Sequence, residues 1–179
     1  MLLSIQQRDV LHMLYCLGSL RERQIHALLQ GKCRESGLDV SERAVCTMLK
    51  QLRHLVSELR VEDDILSLAG RKTTLRHLEA VDVMIELTAG APLQYRLESE
   101  APMLLRFSWG DERIRLFTVA TLSDPLSTVA ETYTCGAMEH VVWISDSGTM
   151  LKDLRLPTKH FFAARQDDGT HRFYGVEES

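Results

Sequence analysis

Between residues 5 and 68 two amphipathic helical patterns, a capped third and a short hairpin pattern follow one another, and this order restricts the possible folds more than any single residue does. The third pattern is the most explicit. Ser41 is placed to cap a helix with Glu42 in its first turn. From there Val45, Met48, Leu49, Leu52 and Leu55 recur at steps of three and four, the spacing of one buried helical face. Arg43, Thr47, Lys50, Gln51 and His54 fall on the opposite side. Side chains of these types donate to phosphates or read base edges. The same pattern also describes the solvated side of any amphipathic helix, so the flanking elements have to decide.

Upstream, Gln6 to Leu17 places Val10, Leu11, Leu14 and Leu17 on one stripe, with Gly18 as the stop. Ser19-Leu20-Arg21-Glu22 has the capping-box pattern, which predicts a second helix from near Leu20 to near Gly31 with Ile25, Leu28 and Leu29 inward. Lys32 to Val40 then reads as a polar connection. Downstream, Leu59 to Val61 and Ile65 to Leu68 read as two short strands around Glu62-Asp63-Asp64. Three helices followed by a hairpin in this order describe a winged helix-turn-helix with double-stranded DNA as its expected partner. Arg60, and Arg71-Lys72 beyond the hairpin, are placed to add phosphate contacts, whereas the three acids at the hairpin tip would repel a phosphate backbone. A fourth helix, Thr73 to Thr88, presents Leu75, Leu78, Val81 or Asp82, and Ile85 at helical spacing and is expected to pack on its own domain. Ala89-Gly90-Ala91-Pro92 terminates it, giving domains at 1–90 and 93–179.

Charge sets a limit on affinity. Residues 1–88 hold 12 Lys+Arg and 12 Asp+Glu, and residues 89–179 hold 9 and 13, so the formal charge of -4 resides in the second half. A neutral first half is not the basic footprint of a tight nonspecific DNA binder, and modest affinity, or dependence on a dimer or partner, is expected. No apolar stretch approaches bilayer length, and the N-terminus lacks the charged-then-apolar pattern of a leader, which points to a cytoplasmic protein without membrane association. The four cysteines, Cys16, Cys33, Cys46 and Cys135, show no CxxC spacing and read as free thiols, with Cys16 and Cys46 packed in helices and Cys33 exposed in the connection.

From Leu93 the pattern changes to strands. Gln94 to Glu98, Met103 to Trp109 and Arg113 to Leu122 are separated by turn residues, Asp124-Pro125 starts a helix running to about Tyr133, and Glu139 to Ser145 reads as a buried strand. After a short element near Met150 to Leu154, strands at about His160 to Arg165 and His171 to Val176 flank Asp167-Asp168-Gly169. The whole is therefore α+β: a winged helix-turn-helix followed by a small α/β domain of hairpin, crossover helix and further strands.

This layout resembles the replication-relaxation type of protein and similar small uncharacterised mobile-element proteins of Gram-positive bacteria. The resemblance spans most of the chain and rests on element order and apolar pattern. It implies a restriction-endonuclease-like second domain and a setting in plasmid or mobile-element replication or mobilisation. A working nuclease of that fold needs an acid on one hairpin strand and acid-x-Lys on the next. Here the first strand reads Pro102-Met103-Leu104-Leu105 and the second Thr118-Val119-Ala120-Thr121, so the second domain resembles a degenerate form. Glu98, Glu100, Asp111 and Glu112 only flank these strands. Neither GxGxxG nor GxxxxGK[ST] occurs, and the seven histidines are scattered, with His160 and His171 placed to meet across the terminal hairpin. No catalytic residue, metal or cofactor is expected. The reading is a non-enzymatic DNA-binding accessory or regulatory protein whose second domain serves a homodimer or protein partner; the alternatives are a protein-interaction module on a winged-helix scaffold and a metal-dependent nuclease.

Overall fold

A computed structural model describes residues 2–34, 36–71, 73–99, 101–121, 139–145 and 159–175, and among these the chain forms four helices and two sheets of an α+β protein. Helix α1 (Ile5–Leu17) begins with a full capping box, in which Ser4 Oγ accepts from Gln7 N at 3.1 Å and Gln7 Oε1 accepts from Ser4 N at 2.9 Å. It ends as its sequence indicates, on Gly18 at φ 73°, whose N–H returns to Leu14 O.

The next residues depart from the sequence reading. Ser19–Arg21 is a strand, β1, and helix α2 starts only at Glu22 and runs to Arg34. Strand β1 pairs antiparallel with β3 (Ile65–Leu68), which also pairs with β2 (Leu59–Glu62), giving the order β1-β3-β2. Leu20 is fully buried opposite Leu66, so the ladder and the apolar contact outweigh a helical start there. The capping pattern fails for the same reason: Arg21 N donates to the Gln24 side chain, and Glu22 N donates to Asp64 O.

Gly31 is not a helix stop. A Cβ at Gly31 would overlap the carbonyl of Gly90, and one at Gly90 (φ 79°) would overlap that of Ala27, so α2 meets the turn after α4 backbone to backbone. The continuation of α2 carries Cys33 inside a helix, half-buried against the core. His26 Nε2 then donates to Val40 O at 2.6 Å, and Val40 N donates to Gln30 Oε1 at 2.8 Å, which pins the α2–α3 connection to α2.

Helix α3 (Glu42–Leu55) is capped by Ser41, whose Oγ accepts from Ala44 N. It buries Val45, Met48, Leu49 and Leu52; Leu55, expected inward, is 38% exposed in the last turn. Helix α4 (Leu75–Thr88) is not packed on one neighbour alone. It touches α2 and β1 on one side and the second sheet on the other, and Leu78, Ala80, Val81, Val83 and Met84 are all buried. Leu75, expected on its apolar face, is 71% exposed. A helix apolar around most of its circumference is a core element.

The second sheet contains β4 (Gln94–Leu97), β5 (Met103–Trp109), β6 (Arg115–Thr121), β7 (Glu139–Ser145), β8 (His160–Arg165) and β9 (His171–Gly175) in that spatial order. The β6–β7 and β7–β8 pairings are parallel and the others antiparallel. Leu105, Phe107, Phe117, Val119, Val142, Ile144 and Ala163 form one cluster with the buried residues of α1–α4, so a single apolar core runs from the small sheet through α4 into the large one. Each fully buried Leu, Ile or Phe in it contributes about 1.5–3 kcal/mol. The helix expected from Asp124 and the element near Met150 lie outside the described residues.

Candidate nucleic-acid interface

Helix α3 turns its polar side outward. Arg43, Thr47, Lys50, Gln51 and His54 are all exposed, as the periodicity required once Val45, Met48, Leu49 and Leu52 entered the core. Arg53 is also exposed on the flank of this face and enlarges it. Its residue type is a signal the sequence contained, a cation in the last turn. Among the described residues no carboxylate forms an ion pair with Arg43, Lys50 or Arg53. Two members of the face have partners. Thr47 Oγ1 donates to Arg43 O at 2.9 Å, which leaves its lone pairs outward, and Gln51 Oε1 accepts from Gln7 Nε2 of α1 at 3.3 Å, which orients its own amide N–H₂.

The hairpin beside α3 is less suited to a phosphate backbone. Arg60 of β2 is exposed, but its guanidinium folds back to donate to Ser57 O at 2.6 Å. Glu62, Asp63 and Asp64 form the tip, with Asp63 in the left-handed region at φ 54°. Arg71 lies over the ring of Tyr15, 4.6 Å from its centroid, and is drawn toward α1 rather than α3.

The positions where a working nuclease of that fold would need its metal ligands carry other contacts. Thr118, fully buried on β6, donates to Glu139 Oε1 at 2.6 Å and accepts from Arg106 Nε at 3.2 Å. Glu98 faces Arg96 at 3.1 Å and Arg106 at 3.6 Å. Among the described residues no three His, Cys, Asp or Glu side chains group to hold a metal ion.

A second charged cluster lies where α4 meets β1, α2 and the β8–β9 hairpin. Buried Gln24 organises one end: its Nε2 donates to Leu78 O and Asp82 Oδ1, both at 2.7 Å. Asp82 Oδ2 receives Arg23 at 2.6 Å and Arg21 at 3.2 Å. Burial raises the Asp82 carboxyl above its usual range, against the pull of Gln24 and both arginines. At the other end His171 of β9 sits between Glu79 and Glu86 of α4, one and three turns from its start. Burial disfavours the charge on this imidazole, but the two carboxylates outweigh it and push its pKa up to about 9. His171 in turn lowers that of Glu79, opposed by burial and assisted by Arg76 at 2.8 Å.

Sequence reasoning missed this cluster because its members come from four elements. His171 and His160, expected to meet across the terminal hairpin, stand apart: His171 pairs with Arg165, at the other end of β8 from His160. The available signal was on α4, where Glu79, Asp82 and Glu86 occupy one side of an otherwise apolar helix.

Among the described residues no helix is long and apolar enough to cross a membrane. Comparison with protein-family models, with curated proteins and with solved structures gives no match.

Proposed function

We propose that this chain is a non-enzymatic DNA-binding accessory or regulatory protein, with residues 1–90 a winged helix-turn-helix, α3 its reading helix and the β2–β3 hairpin its wing. The observation that carries the reading is the outward face of α3, where Arg43, Lys50 and Arg53 stand exposed and, among the described residues, without carboxylate partners beside Thr47, Gln51 and His54. The order α1, β1, α2, α3, β2, β3, with β3 central in a three-stranded sheet, supports the same assignment. Lysine and arginine on that face would meet phosphates or guanine edges, and the Gln51 amide would meet adenine. The second half, 93–179, would serve a homodimer or a protein partner, and the resemblance in element order suggests plasmid or mobile-element replication or mobilisation in the cytoplasm. The acidic hairpin tip favours a second reading, a protein-interaction module on the same scaffold.

Selection of the purified protein against a genomic fragment pool at two salt concentrations separates the two. A discrete enriched motif whose log affinity falls against log salt with a slope of about -3, three phosphate contacts, supports DNA reading. Absence of enrichment at low salt removes it and leaves the interaction module.

A further inference from the structure

The cluster around α4 lines a cavity of about 320 Å3 that opens to solvent, bordered by Arg21, Arg76, Glu79, Asp82, Arg165 and His171. Among the described residues two atoms in that wall have no hydrogen-bond partner, Glu79 Oε1 and His171 Nε2. Both side chains are more than nine-tenths buried, at 8% and 1% exposure, and the atoms face each other at 3.6 Å, an ion-pair contact longer than a hydrogen bond. Arg165 Nη1 approaches the same carboxylate oxygen at 4.0 Å.

The roles of the two atoms are set by their other ends. His171 Nδ1 donates to Glu86 Oε1 at 3.1 Å, so with the ring protonated Nε2 is a second donor. Glu79 Oε2 accepts from Arg76 at 2.8 Å, so Oε1 is an acceptor. Among the described residues, with His171 charged, the wall and the groups paired to it hold Arg21, Arg23, Arg76, Arg165 and His171 against Glu79, Asp82 and Glu86. An occupant must therefore be anionic, must accept at Nε2 and must donate at Oε1. Sulfate and an ionised carboxylate satisfy the first two conditions and fail the third. An oxyanion that retains one proton meets all three.

We propose that this cavity binds a protonated oxyanion of the hydrogen phosphate type, whose charged oxygens accept from His171 Nε2 and Arg165 and whose P–OH donates to Glu79 Oε1. The proton on the ligand is the basis of selectivity, since a buried carboxylate facing a fully ionised oxygen is left repelled and without a donor.

The test is titration of the full chain with sodium phosphate, and with sodium sulfate at matched ionic strength, followed by the imidazole NMR signals that His171→Gln abolishes. The expected result is a saturable shift with phosphate at a Kd of about 1 mM or below, and sulfate weaker by about tenfold or more. Methyl phosphate at about pH 6, where it keeps part of its second proton, tells whether an ester is also admitted. Glu79→Gln should erase the preference, because an amide donates to either anion. Arg165→Ala, at a side chain that is 57% exposed and so spares the fold, should weaken phosphate binding. No saturable shift with phosphate, or equal shifts with both anions in the wild-type chain, would overturn the proposal.

Discussion

His171 of β9 holds Glu86 of α4 with both its backbone and its ring: its N–H donates to Oε2 at 2.9 Å and its Nδ1 to Oε1 at 3.1 Å. The bidentate contact joins residues 85 positions apart and ties the last described strand to the central helix. Its strength depends on the charge of the ring, which makes it open to titration.

Because the folded-state pKa of His171 is raised from 6.5 to about 9, its contribution to stability is complete below the unfolded value and is lost as pH rises through about 9. The expected loss between pH 6 and pH 10 is about 3 kcal/mol. Urea denaturation of the wild type and His171→Gln at both pH values isolates it: the gap between the two proteins should be wide at the lower pH and narrow at the higher. A gap that does not change with pH would show that the ring is not held as a cation.

Gly31→Ala should destabilise the chain by about 1–3 kcal/mol, the range for forcing a methyl group into packed backbone. Its Cβ would overlap Gly90 O, and a carbonyl in a helix-terminal turn has no rotamer by which to withdraw. A thermal melt checks this. An unchanged or raised midpoint would mean that the turn at Gly90 yields easily.

Gln24→Ala removes the donor to Leu78 O and Asp82 Oδ1 and the acceptor for Arg21 N, all at 2.9 Å or less and with Gln24 itself 1% exposed. Leaving buried polar groups unsatisfied costs about 1–3 kcal/mol for each. The expected total is at least about 2 kcal/mol by denaturant unfolding. A loss near zero would indicate that the polar node contributes only orientation.

Lys50→Glu should weaken binding to a selected DNA site and lower the salt slope by about one, with the melting midpoint unchanged because Lys50 is exposed and, among the described residues, without an ion pair. Arg60→Ala should have the smaller effect, its guanidinium being occupied by Ser57 O. Equal affinities for the wild type and Lys50→Glu would rule out α3 as the contact surface.

Asp63→Asn should strengthen DNA binding if the hairpin approaches the backbone, since it removes one negative charge while asparagine keeps the left-handed φ of 54° accessible. Fluorescence anisotropy at low salt reads the change. An unchanged or lower affinity would show that the hairpin tip does not approach the phosphates.

Local chemistry made much of this architecture legible. The cap at Ser41, the stop at Gly18 and the burial of Val10, Leu14 and Leu17 on α1 and of Val45, Met48, Leu49 and Leu52 on α3 are decided by contacts within a few residues, and each appears where the spacing placed it, while Leu11 is only half-buried and Leu55 is exposed in the last turn. The outward face of α3 follows from the inward one, so Arg43, Thr47, Lys50, Gln51 and His54 were identifiable as one surface before any tertiary contact was known. Tertiary contacts decided the rest. Leu20 left a helical cap for a strand because Leu66 offered a ladder and a buried neighbour, and Gly31 stayed inside α2 because Gly90 approaches where a Cβ would lie. The charged cavity is the extreme case: Glu79 and His171 are 92 positions apart, and no short-range pattern encodes their meeting. Periodicity and capping report interactions within about one helical turn or one hairpin, whereas a buried ion cluster exists only once distant elements exclude water from a shared space.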